Sequence, residues 1–132
     1  MATSNRRCPC TSGLPFAECC EPVLAGERQA PTAVELMRSR FTAFATGDRD
    51  YLLHSWHPRT RPVELDLDEA MRWYRLDIES TCGGSPFDAT GEVVFTAFYR
   101  VKGGTAGNLM ERSNFERHDG RWVYVDGTIT PT

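Results

Sequence analysis

The sequence predicts an α+β domain in which a curved antiparallel sheet packs against N-terminal helices, preceded by a small cysteine-rich module. Three observations indicate this fold class. Four of the five cysteines lie within residues 8–20, apolar residues in 32–47 recur with a helical period, and apolar and polar residues alternate in most segments after 62. Helices followed by a run of strands are typical of α+β domains. A chain of 132 residues with 40% hydrophobic residues can bury one such core.

The cysteine-rich module contains two close pairs of cysteines. One residue separates Cys8 from Cys10, eight residues separate Cys10 from Cys19, and Cys20 is adjacent to Cys19. Four thiolates can hold Zn²⁺ tetrahedrally and leave no open position for catalysis, so the spacing predicts a structural zinc knuckle. Two disulfides or four free thiols are the alternatives. A bridge between adjacent cysteines would be strained, and a cytosolic protein keeps its thiols reduced.

The first helix is predicted to begin at Thr32, where Thr32 and Glu35 match a capping box, and to end at Gly47. Residues 21–31 contain proline and glycine without periodicity and are predicted to be a linker. The knuckle with its linker therefore spans 1–31, and the α+β domain spans 32–132. One apolar stripe of the helix is expected to face the core: Val34, Met37, Phe41 and Phe44.

A second, shorter helix is predicted to begin at Asp48 or Asp50 and to end at Pro58. Most of its apolar residues are expected to face inward, namely Tyr51, Leu52, Leu53 and Trp56.

Extended segments follow. Asp119 and Gly120 form a two-residue signal for a hairpin turn between the last two strands. The segment 91–101 is apolar on both faces, so one face is expected to cover the helices and the other a partner or a neighbouring module. The predicted extended segments are 63–68, 73–81, 91–101, 109–118 and 121–129, with one helical turn near Asp68.

The net charge of −3 argues against a duplex DNA-binding protein, which usually has a basic face. A local cluster of arginines is interpreted as solvated helix and loop charges; these residues are Arg38, Arg40, Arg59 and Arg61.

No stretch approaches the ~18 apolar residues of a membrane span, and residues 1–7 have no apolar core of a leader. We therefore expect a cytoplasmic protein without membrane insertion.

The motifs also resemble known families. Cys-x-Cys-x-Ser-Gly followed by Cys-Cys resembles the SEC-C zinc motif, which docks protein partners in the preprotein translocase ATPase; Thr11 stands where the common form has glycine. The helix pair around residues 45–50 resembles the opening of the cone fold named after nuclear transport factor 2. With segments 37–44, 51–53, 56–58 and 119–127, the whole chain resembles the YchJ-like family of uncharacterised bacterial proteins. The resemblance implies this fold and no settled activity.

Cones of this kind often enclose a pocket, and chemistry there would need a general acid or base. For His57 the sequence favours a helix-end cap beside a core tryptophan, and for Asp126 a strand exit. No catalytic constellation stands out, so catalytic residues are unassigned and enzymatic activity is uncertain. The candidate pocket residues are Trp56, His57, Trp73, Tyr99, Glu111, Ser113, Tyr124 and Asp126.

The leading hypothesis is a non-enzymatic binding protein that contacts a protein partner through the zinc knuckle. One alternative is an enzyme or carrier that uses the cone pocket for a small molecule of unknown identity. A weaker alternative is an RNA- or ribosome-associated factor that uses the region 38–61 and the knuckle. Cone sheets commonly pair, so a homodimer through the sheet is also expected.

Overall fold

One long helix crosses a four-stranded antiparallel sheet in the computed structural model, which describes residues 6–130. The α+β architecture with N-terminal helices is as predicted, but the linker predicted at 21–31 begins with a short helix, Glu21–Leu24. Pro22 lies in its first turn, where a proline removes no helical hydrogen bond. A 3₁₀ turn at Phe16–Glu18 comes first. The helices are α1 (Glu21–Leu24), α2 (Ala33–Thr46) and α3 (Arg49–His54), and the strands are β1 (Met71–Gly83), β2 (Thr90–Val101), β3 (Ala106–His118) and β4 (Arg121–Thr130).

The four strands form a meander in the order β1-β2-β3-β4, and each pairs antiparallel with the next. Register shifts interrupt the β1–β2 ladder at Trp73/Arg75 and Ile78/Ser80, and the β3–β4 ladder at Asn114/Phe115. Such bulges bend a strand and increase its twist, which curves the sheet towards the helices. Among the described strands, β1 and β4 lie at the edges of the sheet, and Thr11 of the cysteine-rich module contacts β1 at Leu76.

Helix α2 begins and ends where the sequence predicts. The Thr32 hydroxyl accepts a hydrogen bond from the Glu35 amide at 3.1 Å, and Gly47 ends the helix in the left-handed region at φ 76°. Met37 and Phe41 of the predicted stripe are buried, whereas Val34 and Phe44 are half-buried. The helix buries a wider arc than this stripe, because it packs on β1, β2 and β4 and also on α3.

Helix α3 begins at the predicted Asp48 cap, whose carboxylate accepts from the Tyr51 amide at 3.0 Å. The predicted end at Pro58 is wrong, because the helix ends at His54. Beyond it the backbone pairs with β4: the Tyr124 amide donates to Ser55 O at 2.9 Å, and the His57 amide donates to Tyr124 O at 2.8 Å. These tertiary hydrogen bonds end the helix four residues before the proline can.

The predicted extended segment 63–68 does not form a strand. Val63 is 97% exposed, and Leu65 and Leu67 are half-buried. Alternation favours a strand only when a neighbouring strand can pair with it, and none of the four described strands does so here. The helical turn predicted near Asp68 is a single hydrogen-bonded turn instead of a helix, in which the Met71 amide donates to Asp68 O at 3.1 Å.

The predicted hairpin between β3 and β4 is confirmed. Asp119 and Gly120 both have positive φ, 53° and 82°, as a type I′ turn requires. Strand β3 begins at Ala106, three residues earlier than predicted, and β1 extends two residues beyond each end of the predicted 73–81.

The core lies between α2 and the inner face of the sheet. Val93, Phe95 and Ala97 of β2 are buried on that face, as predicted, and Phe115 and Trp122 join them. The buried cysteines Cys8, Cys10 and Cys20 belong to the same contiguous cluster, so the knuckle shares the core of the domain.

Side chains of the sheet itself cover part of its outer face. Thr96 is buried there, and its hydroxyl donates a hydrogen bond to the Glu79 carboxylate at 2.8 Å. The Arg75 guanidinium lies over the Phe98 ring, 5.0 Å from its centroid. Pairing of two chains through this face stays a prediction.

None of the helices within 6–130 is long and apolar enough to cross a bilayer.

Candidate metal centre and cone cleft

The four knuckle cysteines converge on one point. Their sulfur atoms all lie within 4.8 Å of one another, and none is in a disulfide. Cys10 Sγ is 3.6 Å from Cys19 Sγ, which is 3.9 Å from Cys20 Sγ. Cys8, Cys10 and Cys20 are buried, and Cys19 is half-buried. Four soft donors in this arrangement could hold a metal ion.

Local backbone structure brings the two cysteine pairs together. The Cys8 amide donates to Leu14 O at 2.9 Å, which closes the loop between the pairs, and Gly13 within it has φ 95°. The 3₁₀ turn then leads into Cys19 and Cys20, and Cys20 is the N-cap of α1. Helical curling at this point lets two adjacent cysteines approach one ion.

The knuckle is held against the domain on two sides. Arg38 of α2 donates to Cys10 O at 3.0 Å, and its guanidinium also lies 3.9 Å from Cys10 Sγ. The Thr42 hydroxyl is 3.6 Å from Cys8 Sγ. On the other side, the Thr11 hydroxyl contacts the backbone of Leu76 on β1. The sequence does not reveal these partners, because they lie far from the cysteines along the chain.

The pKa differs among three of the sulfurs, those of Cys10, Cys19 and Cys20. Hydrogen bonds with Cys20 and Cys8 lower the pKa of Cys10, whereas hydrogen bonds with Cys10 and Cys8 raise the pKa of Cys20. Burial raises the pKa of Cys19 to about 11. A cation bound by the four sulfurs would therefore displace protons from Cys19 and Cys20.

The predicted pocket residues of the domain separate into three groups. In the first, Glu111 Oε2 accepts from the Ser113 hydroxyl at 2.6 Å and from the Tyr124 hydroxyl at 3.2 Å. Trp56 packs edge-on against Tyr124 with ring centroids 5.1 Å apart. Burial, followed by the nearby Glu111 charge, raises the pKa of Tyr124, so Tyr124 stays a neutral donor to that carboxylate.

The second group consists of two aromatic residues on β1 and β2. Trp73 and Tyr99 pack edge-on at 5.3 Å, and Trp73 borders a cleft of about 140 Å³ whose lining includes Glu111. We call this the cone cleft; its lining residues are Met37, Phe41, Phe44, Trp73, Phe95, Ala97, Leu109 and Glu111. Ser113 and Tyr124 thus hydrogen bond to Glu111, which is the one carboxylate among the described residues that line the cone cleft.

The third group lies away from the cone cleft. His57 Nδ1 accepts from the Arg59 amide at 2.9 Å, and His57 Nε2 lies 3.8 Å from Glu116 Oε1. Its ring centroid is 4.9 Å from that of His118. Asp126 is exposed on β4 and accepts from the Asn114 side-chain amide at 2.8 Å. Neither residue lines the cone cleft.

Arg40 is the interior residue that the sequence interpretation missed. It is 3% exposed, donates to Leu52 O at 2.8 Å and to Ser55 Oγ at 2.7 Å, and lies over the rings of Trp56 and Tyr124 at 4.9 and 4.5 Å. Burial lowers its pKa to about 10, so it remains charged at neutral pH. The prediction of a solvated side chain is therefore wrong for Arg40.

A signal for this burial was present in the sequence. Residues three and four positions away share a helical face, and all four such neighbours of Arg40 in the helix are apolar. They are Leu36, Met37, Ala43 and Phe44.

Comparison with known proteins gives matches over both parts of the chain. The family model described as YchJ, middle NTF2-like domain, matches residues 32–127, and the SEC-C motif model matches residues 5–22. A UPF0225 protein of Corynebacterium efficiens is 55% identical over 124 residues, which are 93% of each chain. A UPF0225 protein of Streptomyces coelicolor is 53% identical over 120 residues, 91% of this chain and 93% of that one.

Two solved structures are similar. The solution structure of a SEC-C motif containing protein from Rhodopseudomonas palustris superposes with a TM-score of 0.82 at 32% identity, covering 94% of this chain and 98% of that one. A crystal structure of a SEC-C motif containing protein from Psychrobacter arcticus gives a TM-score of 0.77 at 22% identity, covering 100% of this chain and 87% of that one. The second likeness concerns the fold alone.

Proposed function

Because the chain belongs to the bacterial UPF0225 family, which joins a SEC-C motif to a YchJ-type NTF2-like domain, we propose that it is a zinc protein that binds another protein without catalysing a reaction. The observation that carries this proposal is the convergence of Cys8, Cys10, Cys19 and Cys20 on one point. An ion held by all four would have no position left for a substrate.

Zinc suits the spacing of the sulfurs. Zinc–thiolate bonds of ~2.3 Å arranged tetrahedrally place the sulfurs about 3.8 Å apart. The Cys10–Cys19 and Cys19–Cys20 separations of 3.6 and 3.9 Å lie on either side of that value. The Arg38 guanidinium beside Cys10 would offset part of the negative charge of a four-thiolate site. The ion would hold the two cysteine pairs of the knuckle together, and the thiolates would stay reduced in the cytoplasm.

The knuckle leaves one face for a partner. Its inner side packs on α2 and β1, whereas Leu14 is 49% exposed and Cys19 is half-buried on the outer side. A cleft of about 220 Å³ borders these two residues and is completed by α1 and α2. We call this the knuckle face; its lining residues are Ser12, Leu14, Glu18, Cys19, Cys20, Val23, Arg28, Glu35 and Arg38. Such a mixture of an exposed apolar residue and a polar rim is typical of interaction sites.

Quantitative affinity capture with the zinc-loaded full chain tests this function. Leu14→Glu should retain zinc and lose the partner, because it places a charge on the knuckle face. Val63→Glu is the matched control, since Val63 is 97% exposed in a segment that does not line the knuckle face. The double change Cys19→Ser, Cys20→Ser should lose both zinc and partner. Partners recovered at the wild-type level with Leu14→Glu and with the double variant would exclude a docking role.

A second candidate is the binding of a small molecule in the cone cleft. The observation that favours it is the presence of Glu111 in the lining of an otherwise apolar cleft of about 140 Å³. A cavity of about 150 Å³ in another protein holds benzene, so the volume admits a small aromatic compound. Two hydroxyl donors hold Glu111 Oε2, and the carboxylate could accept a further hydrogen bond from a ligand.

Ligand-observed NMR with phenol and aniline tests the second candidate. Binding should weaken in Glu111→Gln and persist in Glu92→Gln, because Glu92 pairs with Arg112 on the sheet and does not line the cone cleft. If neither compound binds, or if both bind Glu111→Gln as well as wild type, the cone cleft is not a site of this kind.

A further inference from the structure

A third cleft, of about 160 Å³, lies where α1, α3 and the start of β4 meet. Its floor is apolar and nearly buried, formed by Val23, Leu36 and Trp122. Its rim carries Arg28, His54 and Arg121. We call it the junction cleft. It is separate from the cone cleft and shares only Val23 and Arg28 with the knuckle face.

The charge of the junction cleft is opposite to that of the whole protein. The chain has a net charge of −3, yet none of the described residues that line this cleft is an aspartate or a glutamate. Arg28 is neutralised by Glu35 at 3.0 Å, but within residues 6–130 no carboxylate lies within 4.0 Å of Arg121. Burial and the positive charges of Arg121 and Arg61 lower the pKa of His54, which is the expected effect of an uncompensated cation.

Arg121 is held in place and still has donors to offer. One NH1 hydrogen is donated to His54 O at 3.0 Å, which fixes the guanidinium at the end of α3. A guanidinium has five N–H donors arranged as a fork that matches a carboxylate, so the remaining donors can bind an anion. Beside it, the Trp122 indole N–H donates to Pro31 O at 3.1 Å, which orients the ring that forms the floor.

We propose that the junction cleft binds a small organic carboxylate, with its charged group on Arg121 and a short apolar tail over Val23, Leu36 and Trp122. The carboxylate belongs either to a free acid or to the end of a peptide. A volume near that of a benzene-sized cavity admits a tail of about four carbons. So few atoms bind weakly, with a dissociation constant on the order of 1 mM.

The test uses the zinc-loaded full chain at 0.15 M salt and follows the amide and tryptophan indole N–H signals by NMR. The probes are 3-methylbutanoate and the uncharged 3-methylbutanamide, which has the same shape. The acid should shift the Trp122 indole signal, and the amide should bind at least about tenfold more weakly because it cannot form a charge-assisted pair. A peptide ending in leucine, with a free or an amidated C-terminus, distinguishes the two sources of the carboxylate.

Arg121→Gln should weaken binding of the acid at least about tenfold. Arg49→Gln should bind it like wild type, because Arg49 is exposed on α3 and does not line the cleft. If Arg121→Gln does not fold, the comparison of acid with amide on the wild-type chain decides. Equal binding of acid and amide, no shift of the Trp122 signal by the acid or by the peptide, or unchanged binding to a folded Arg121→Gln would each overturn the proposal. None of these outcomes depends on the partner-binding function, since no partner is present.

Discussion

The hydroxyl of Thr11 hydrogen bonds with both backbone groups of Leu76, donating to its carbonyl at 3.0 Å and accepting from its amide at 3.1 Å. Leu76 lies on the edge strand β1, whose outer backbone groups face no other strand within residues 6–130. Thr11 thus takes the place of a strand at one residue. It does so at φ 59°, a conformation that is costly for a β-branched residue, and the two hydrogen bonds offset that cost.

Replacing Thr11 by valine should destabilise the protein by about 1–2 kcal/mol, because the shape is kept and both hydrogen bonds are lost. Thr11→Ser keeps the hydroxyl and should cost less. Urea unfolding measures the free energy, and the amide of Leu76 should exchange with solvent faster in Thr11→Val alone. Thr81→Val is the control on the same strand, at an exposed position. Unchanged exchange at Leu76 would show that Thr11 does not hold the knuckle to β1.

Removal of the metal should destabilise the whole domain, because three of the four cysteines belong to its core. We expect about one zinc per chain by elemental analysis. Chelation should lower Tm by at least about 10 °C, which corresponds to a loss of roughly 3 kcal/mol at this size. Cys82→Ser should retain zinc and Tm, since Cys82 is exposed on β1 and outside the cluster. A chelator-treated protein with unchanged Tm would contradict a structural role.

Arg40→Ala should destabilise the protein by about 3 kcal/mol, because it leaves a cavity between two rings and removes two buried hydrogen bonds. Arg40→Lys should recover only part of the lost free energy. Lysine has no planar guanidinium that can stack on the two rings and donate both hydrogen bonds. Arg49→Ala, on the exposed side of α3, should change the free energy of unfolding by less than about 0.5 kcal/mol. Equal effects at the two positions in urea unfolding would refute an interior role for Arg40.

Gly91→Ala should cost about 2–3 kcal/mol, because a Cβ there would lie 2.6 Å from Gly84 Cα and the two backbones would have to separate. Gly84 also positions the start of α2, because the Ala33 amide donates to Gly84 O at 3.0 Å. Gly104→Ala is the control: its Cβ would meet nothing closer than 3.5 Å. Thermal unfolding of both variants measures the difference. A Gly91→Ala protein as stable as Gly104→Ala would show that the backbones of Gly84 and Gly91 can separate at little cost in free energy.

Much of the fold could be predicted from residues that act over short distances. Thr32, Gly47 and Asp48 mark helix ends through hydrogen bonds and φ values within one turn, and Asp119 with Gly120 mark a hairpin by the turn they can adopt. The segment 63–68 has the alternation of a strand and is not one, because strand formation also needs a partner that no local pattern supplies.

The candidate sites divide in the same way. The spacing of Cys8, Cys10, Cys19 and Cys20 is enough to predict their convergence, since all four lie on one short loop. The hydrogen bonds from Ser113 and Tyr124 to Glu111 join two strands, and only the β3–β4 register sets them.

The amino-acid sequence by itself determined the helix caps, the last hairpin, the inner face of β2 and the cysteine cluster. Only the tertiary structure decided that Arg40 is inside, that α3 ends at His54, and that the knuckle rests on β1 and α2. Thr11 and Leu76 are 65 residues apart, and Arg38 is 28 residues from Cys10. The difference is one of range: caps and turns form from neighbours along the chain, whereas these contacts exist only after the sheet has closed over α2.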